Sequence, residues 1–218
     1  MSRRRSERAP KRRRYHHGDL ARALIDAAAA MLAKDGARAV SLRAVARRAG
    51  VSQTAPYRHF SDKGALVAAV AAEGFRRLAL AMDAAARRAR PRTAAARVRA
   101  LGQGYVRFAV ANPAMVRLMF GPLLVQRAEH PALDAAARAA YAMIAAAVAE
   151  ALGAPQGGEE ASVATIAAWA LVHGLSQLLI DRQISAAMCG GLARGALIDR
   201  VIGEFGRGLA SPKSGESR

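Results

Sequence analysis

Residues 41–60 read SLRAVARRAGVSQTAPYRHF, and the single Gly-Val-Ser between two short helix-forming stretches decides how the chain is read. Ser41 suits an N-cap, because its hydroxyl can accept from a backbone N–H that the first helical turn leaves free. Leu42, Val45, Ala46 and Ala49 recur at i, i+3, i+4 and i+7, the spacing of one buried helical face, so Arg43, Arg47 and Arg48 point elsewhere. Gly50 stands where a helix ends in a left-handed residue. Val51 is placed to plug the gap between helices, and Ser52 to cap the second one. Pro56 falls in the first turn of that second helix, where a missing N–H costs least, which makes the helix short; Tyr57 and Phe60 are its expected anchors. The twenty residues contain no Asp or Glu.

Charge points the same way. The 218 residues carry 34 Lys and Arg against 16 Asp and Glu, a formal charge of +18 that attracts polyanions. Residues 1–63 hold 16 basic and 5 acidic side chains, +11, whereas the remaining 155 carry +7. A basic, anion-facing N-terminal part is thus attached to a larger, more ordinary one. Residues 1–14, MSRRRSERAPKRRR, have eight Lys or Arg and almost nothing apolar, so they are expected to form a disordered arm.

Composition predicts an all-α chain. Alanine dominates the apolar content, β-branched runs are missing, and alternating strand patterns are hard to find. A first helix is expected from HHGDL, capped by Asp19, with Leu20, Leu24, Ala27, Ala28, Met31 and Leu32 on one face and Gly36 as its end. Beyond SDKGAL, breaks at Pro91, Asn112-Pro113, Gly121-Pro122, His130-Pro131, Gly153 to Gly158 and Gly190-Gly191 predict about six further helices. The lone Cys189 cannot form an internal disulfide, and the charged start lacks the apolar stretch of a signal peptide; a cytoplasmic protein is expected. Ala161 to Ile180 runs for 20 uncharged residues, long enough to span a bilayer, yet Ser162, Thr165, His173, Ser176 and Gln177 favour a helix surrounded by protein, with no membrane partner.

A helix-turn-helix unit reads the major groove with the first residues of its second helix. Gln53 and Thr54 stand there, suited to adenine edges and thymine methyls, with Arg58 and His59 further along. Ser41, Arg43, Tyr57, Lys63 and the amides opening the fourth helix are candidates for phosphate. Ser52 completes the expected DNA-binding set. A plain helical hairpin with solvated arginines is the alternative.

The stretch YHHGDLARALIDAAAAMLAKDGARAVSLRAVARRAGVSQTAPYRHFSDKGAL, residues 15–66, resembles the DNA-binding domain of the TetR family of transcriptional regulators. The resemblance rests on Ser41, Ala49-Gly50-Val51-Ser52, Tyr57-Arg58-His59-Phe60 and Lys63. It implies that the third helix enters the major groove and that Tyr57, His59 and Lys63 contact phosphate. Ala55-Pro56 departs from the pattern and shortens the reading helix. WALVHG, Trp169 to Gly174, is similar to the Trp-x-x-x-His-Gly signature of one C-terminal subfamily. That implies a helical domain that binds a small effector and dimerises through its last two long helices, here about 159–186 and 193–209. The apolar circumference of the first independently fits a helix shared between core and interface.

The expected organisation is a basic arm (1–14), a three-helix DNA-binding domain (15–62), a larger helical effector-binding and dimerisation domain (63–210) and a tail (211–218). Trp169 and His173, four apart on one face, either line a pocket or form a core tryptophan beside a hydrogen-bonded histidine. Tyr105, Phe108, Met115, Met119 and Tyr141 are core residues by default and candidates for a ligand cavity. Gly102-Gln103-Gly104 is half of a dinucleotide fingerprint without strand or third glycine, so helix packing explains it better. His16-His17 lack partners for a metal. No nucleophile triad or carboxylate pair appears, and neither an enzyme nor a cofactor is expected. The expected partners are an operator in double-stranded DNA, an unidentified small-molecule effector and a second copy of the chain. The alternative is a sequence-indifferent architectural DNA binder.

Overall fold

Eight α-helices and two 3-10 turns build the described residues, 17–121 and 129–210 of a computed structural model, and these residues contain no strand. The expected arm at 1–14 and tail at 211–218 lie outside the described residues, as do Tyr15, His16 and Pro122. The chain is therefore all-α, with a helix-turn-helix unit leading into a larger helical body.

Helix α1 spans His17–Asp35, so Asp19 is a position within its first turn and not the residue before it. Leu24, Ala28, Met31 and Leu32 are buried, and the Gly36 amide donates to the Leu32 carbonyl as the helix ends, with φ +77° at the glycine. Helix α2 is Leu42–Ala49, capped as expected by Ser41, whose Oγ accepts from the Ala44 amide at 3.2 Å. Six helices follow: α3 Lys63–Arg88, α4 Ala94–Ala111, α5 Pro113–Phe120, α6 Pro131–Leu152, α7 Glu159–Ile180 and α8 Arg194–Ala210. Except at the end of α7, the breaks between them fall at the glycines and prolines seen in the sequence. Asp62 caps α3, accepting from the Ala65 amide at 2.8 Å.

Helix α3 joins the two parts. Leu66, Val67 and Val70 of its N-terminal half are buried in the core, and the helix packs with α1, α4, α5 and α6. Glu73, only 4% exposed, accepts from Arg22 of α1 at 2.8 and 3.0 Å, from Arg77 at 2.8 Å and from Arg76 at 3.2 Å. Burial pushes the Glu73 carboxyl upward, but the hydrogen bond from Arg77 and the charges of Arg22 and Arg77 outweigh it and hold the group below its usual range. Arg77 also reaches Asp26 at 2.8 Å, so α1 and α3 are tied at two carboxylates.

Glycines set the closest approach. A Cβ on Gly104 of α4 would stand 2.9 Å from Met82 Cα and 3.0 Å from the Ala81 carbonyl of α3. One on Gly102 would meet Val172 and Ile202 at 3.2 Å, so that glycine admits α7 and α8. Helix packing, not nucleotide binding, accounts for this pair.

Helix α7 has two unlike faces. Ala161, Thr165, Ala168, Val172, Leu175 and Ser176 are buried, and the Thr165 and Ser176 hydroxyls donate at 2.6 Å to the Ala161 and Val172 carbonyls. Val163, Ile166, Ala167, Ala170, Gly174 and Leu178 are exposed along the other side. Helices α6 and α7 are long and apolar enough to cross a membrane, but both pack against α4 and each other within the bundle. Helix α7 stops at Ile180, short of the expected 186. Arg182 adopts φ +56°, and the Gln183 amide donates back to the Leu178 carbonyl at 2.9 Å, a Schellman closure without its usual glycine.

Candidate functional site

After α2, Gly50 takes φ +69° and ψ +29°, the left-handed cap that the sequence implies. Its amide donates to the Arg47 carbonyl at 3.3 Å and that of Val51 to Ala46 at 3.0 Å, closing the helix and turning the chain. Val51 packs half-buried on the core. No atom lies within 4 Å of where a Gly50 Cβ would stand, so backbone strain alone decides what is tolerated. Gly50→Val is expected to cost about 1–2 kcal/mol, whereas Gly50→Asn, which visits this region more easily, costs less. Thermal unfolding of the two variants checks the order.

The second element of the unit is shorter than an α-helix. Ala55–Arg58 form one 3-10 turn, because Pro56 has no amide for the Ser52 carbonyl, which instead receives Ala55 N–H at 3.0 Å. Ser52 consequently caps nothing with its side chain; its hydroxyl pairs with that of Thr54 at 3.2 Å. Pro56 and Phe60 hold the turn to the core. Tyr57, expected as an anchor, is 51% exposed and projects from the surface.

These elements bring most of the nominated DNA-facing residues into one exposed region. Arg43 on α2, Ser52, Gln53 and Thr54 in the turn, Tyr57 and Arg58 on the 3-10 turn, and Lys63 at the start of α3 are all exposed. Ser41 and His59 are half-buried. Among the described residues, no carboxylate pairs with Arg43, Arg47, Arg48, Arg58 or Lys63, in contrast to Arg22, Arg77, Arg107 and Arg117, which are neutralised. Asp62 is the acid of this face. The Ala65 amide, the Ser61 hydroxyl and the Gly64 amide hold its carboxyl below the usual range. The Ala65 amide at the head of α3 is thereby engaged by the chain itself.

A second candidate site lies in the body, where five helices leave a cavity of about 240 Å³. Helix α3 contributes Phe75, Leu78 and Met82, α4 Tyr105, and α5 Phe120. Helix α6 adds Ala137, Arg138, Ala140, Tyr141 and Ile144, and α7 adds Trp169. Tyr141 and Trp169 meet edge to face at 5.9 Å between centroids, as do Phe75 and Phe120 at 5.3 Å. Arg138 is exposed and paired with Asp134 one turn away. The buried Tyr105 hydroxyl lies 2.9 Å from His173 Nδ1. Burial pushes the Tyr105 phenol up to about 12 and the His173 imidazolium down, so both are neutral near pH 7.

Of the residues nominated for a cavity, Tyr105, Tyr141 and Trp169 line it and Phe108, Met115, Met119 and His173 do not. Met115 and Met119 pack on Gly74 of α3, with sulfurs 2.8 and 2.6 Å from where a Cβ would stand. Phe108 borders a basic groove with Arg88, Arg99 and Arg107 between α3 and α4. His173 stands behind Tyr105, with its ring 4.6 Å from that of Phe120. The Trp-x-x-x-His-Gly run thus serves three directions: Trp169 faces the cavity, His173 fixes its phenol, and Gly174 lies on the outer face with nothing within 4 Å of a Cβ. Sequence reasoning missed Phe75, Leu78, Met82, Phe120 and Ile144, whose helical spacing reads equally as core.

Comparison with known proteins agrees with both halves. Residues 24–70 match the family described as bacterial regulatory proteins, tetR family, and residues 98–205 match a tetracyclin repressor-like C-terminal domain. A structure of a protein with unknown function from Rhodococcus sp. RHA1 is 35% identical with a TM-score of 0.74, covering 92% of this chain and 100% of that one. A TetR family transcription regulator from Marinobacter aquaeolei VT8 shares the fold at 17% identity and a TM-score of 0.60, over 86% of this chain and 93% of its own. PfmR, a TetR family transcriptional regulator from Thermus thermophilus, does so at 15% and 0.58, over 84% and 97%. No curated protein matches the chain.

Proposed function

We propose that this chain, which belongs to the TetR family of transcription regulators and to no enzyme family, is a ligand-responsive repressor. It binds a palindromic operator as a homodimer and is released by a small-molecule effector. The observation that carries the reading is the exposed stretch from Arg43 to Lys63, rich in hydroxyls and in cations that no described carboxylate pairs with, built around the left-handed turn at Gly50. On this reading residues 15–62 form the DNA-binding head and 63–210 the effector-binding and dimerising body. The arm at 1–14 adds sequence-independent affinity for phosphate. The protein acts in the cytoplasm.

Gln53 and Thr54 read base edges, with Arg58 beside them; Ser41, Arg43, Ser52, Tyr57, His59 and Lys63 position the head on phosphates. The exposed stripe of α7, with Val163 62% and Ile166 56% exposed, packs against its own copy in an isologous interface. This sets two heads about one DNA turn, roughly 34 Å, or somewhat more apart.

Three consecutive residues of α3 support coupling between cavity and head. Phe75 lines the cavity, Gly74 abuts Met115 and Met119 of α5, and Glu73 holds Arg22 of α1. An effector that shifts Phe75 therefore acts on the helix that carries the head. A differential affinity of about 1–3 kcal/mol between the DNA-competent and released arrangements is enough for regulation.

Selection of bound sites from random DNA tests the reading, and a palindrome is the expected result. Gln53→Ala or Thr54→Ala is then expected to change base preference by about 1–3 kcal/mol per lost contact, and Lys63→Ala to weaken all sequences alike. Binding without any preferred sequence would instead make the protein an architectural DNA binder.

A further inference from the structure

The cavity's chemistry narrows what can occupy it, an inference that rests on the effector-binding reading above. An engineered cavity of about 150 Å³ holds benzene, so the 240 Å³ here admits a two-ring molecule of roughly ten heavy atoms. The walls offer aromatic faces and edges from Phe75, Phe120, Tyr141 and Trp169, which match a flat π-system.

No charge is free to receive a charged ligand. Arg138 is already neutralised by Asp134 at 2.5 Å, and it stands at the exposed side of the cavity rather than in its depth. A carboxylate carried inward would lose its hydration without gaining a counter-ion. The Tyr105 hydroxyl is buried, 2.9 Å from His173 Nδ1, with the Trp169 indole also acting on its oxygen. A phenol that donates to Nδ1 keeps lone pairs for a ligand O–H, and one that accepts from Nδ1–H keeps its own O–H to give. Either tautomer leaves one place for a group that can both donate and accept, which a ligand hydroxyl does.

We propose that the effector is an uncharged, flat, two-ring aromatic molecule bearing one hydroxyl, with its rings among Trp169, Tyr141 and Phe120 and its hydroxyl on the Tyr105 oxygen. Because Trp169 is the chain's single tryptophan and lines this cavity, its emission reports on the cavity directly.

The test is calorimetric titration of the full-length protein with 2-naphthol, naphthalene and 2-naphthoate, with Trp169 emission followed in parallel. 2-Naphthol is expected to bind about tenfold or more tighter than either of the others, as one satisfied hydrogen bond and one avoided buried charge require. Tyr105→Phe is expected to bring 2-naphthol down to the level of naphthalene and leave naphthalene unchanged. Equal affinity for 2-naphthol and naphthalene in the unaltered protein would overturn the hydroxyl assignment. Tightest binding by 2-naphthoate, lost in Arg138→Gln, would overturn the neutral class while keeping the cavity as a ligand site. If none of the three binds or alters Trp169 emission in protein that still binds its selected operator, the effector-binding reading of this cavity falls with the proposal.

Discussion

Leu178→Arg is expected to leave a folded monomer whose operator affinity is lower by a hundredfold or more, as loss of two-headed binding predicts. Leu178 is 46% exposed in the single chain, so a long cationic side chain there meets solvent and should not disturb the protomer's own core. Against a second copy the same guanidinium would be buried opposite its own equivalent, with Ile166, Ala170 and Gly174 on the same stripe offering no counter-charge. Ala170→Arg should act in the same way, since on the proposed interface the exposed small residues Ala167, Ala170 and Gly174 would let two helices approach. Sedimentation equilibrium with unaltered circular dichroism decides the matter. A Leu178→Arg dimer with normal operator binding would place the interface on another face of the body.

Gly104→Val is expected to destabilise the body, contrary to the ordinary gain from replacing a mid-helix glycine. Helix propensity alone favours a side chain by up to about 1 kcal/mol. Here the added Cβ would stand 2.9 Å from Met82 Cα, 3.0 Å from the Ala81 oxygen and 3.1 Å from Ala85 Cβ. Two of these are backbone atoms and the third is a methyl, so no rotamer change relieves the contact and α3 must move off α4. Overpacking of this kind costs about 1–3 kcal/mol, with a β-branched residue at the upper end. For a chain of this size each kcal/mol lowers the unfolding midpoint by roughly 2–4 °C. The displacement would also shift Met82 and Tyr105, which both line the cavity, so ligand binding should weaken with stability. Gly195→Ala in α8, where nothing lies within 4 Å, provides the contrast: its midpoint should stay level or rise slightly. A Gly104→Val protein as stable as the parent would show that α3 and α4 are less closely packed than described.

The helix-turn-helix unit was legible because nearly all of its determinants are local. Ser41 caps α2, Leu42, Val45 and Ala46 are buried, and Gly50 is left-handed; each follows from neighbours within four residues. The same locality exposed the weak point at Pro56, though not its full consequence, a single 3-10 turn with Ser52 released from capping. Tyr57 was misplaced because aromatic character argues for burial by default, and only the path of the short turn decides that Phe60 takes the core position and Tyr57 the surface. Helix boundaries in the body were equally readable from proline and glycine. The end of α7 was missed because its left-handed residue is Arg182, and no sequence signal marks an arginine for that conformation.

The cavity was legible only in part, and the reason is geometric. Tyr105, Tyr141 and Trp169 were nominated with Phe108, Met115, Met119 and His173 on the same ground, large or polarizable side chains on apolar helical faces. Sequence alone determined that the chain is all-α, which turn shapes its helix-turn-helix unit and which helix has more apolar surface than one core can cover. The tertiary structure alone decided that Met115 and Met119 fill the notch at Gly74 while Phe75, one residue on, faces open space. Helical periodicity encodes which side of a helix avoids water, and a packed core and a ligand cavity both satisfy it. What separates them is how far apart the helices stand. That distance is set by long-range contacts such as Gly104 against Met82, between residues 22 positions apart in sequence.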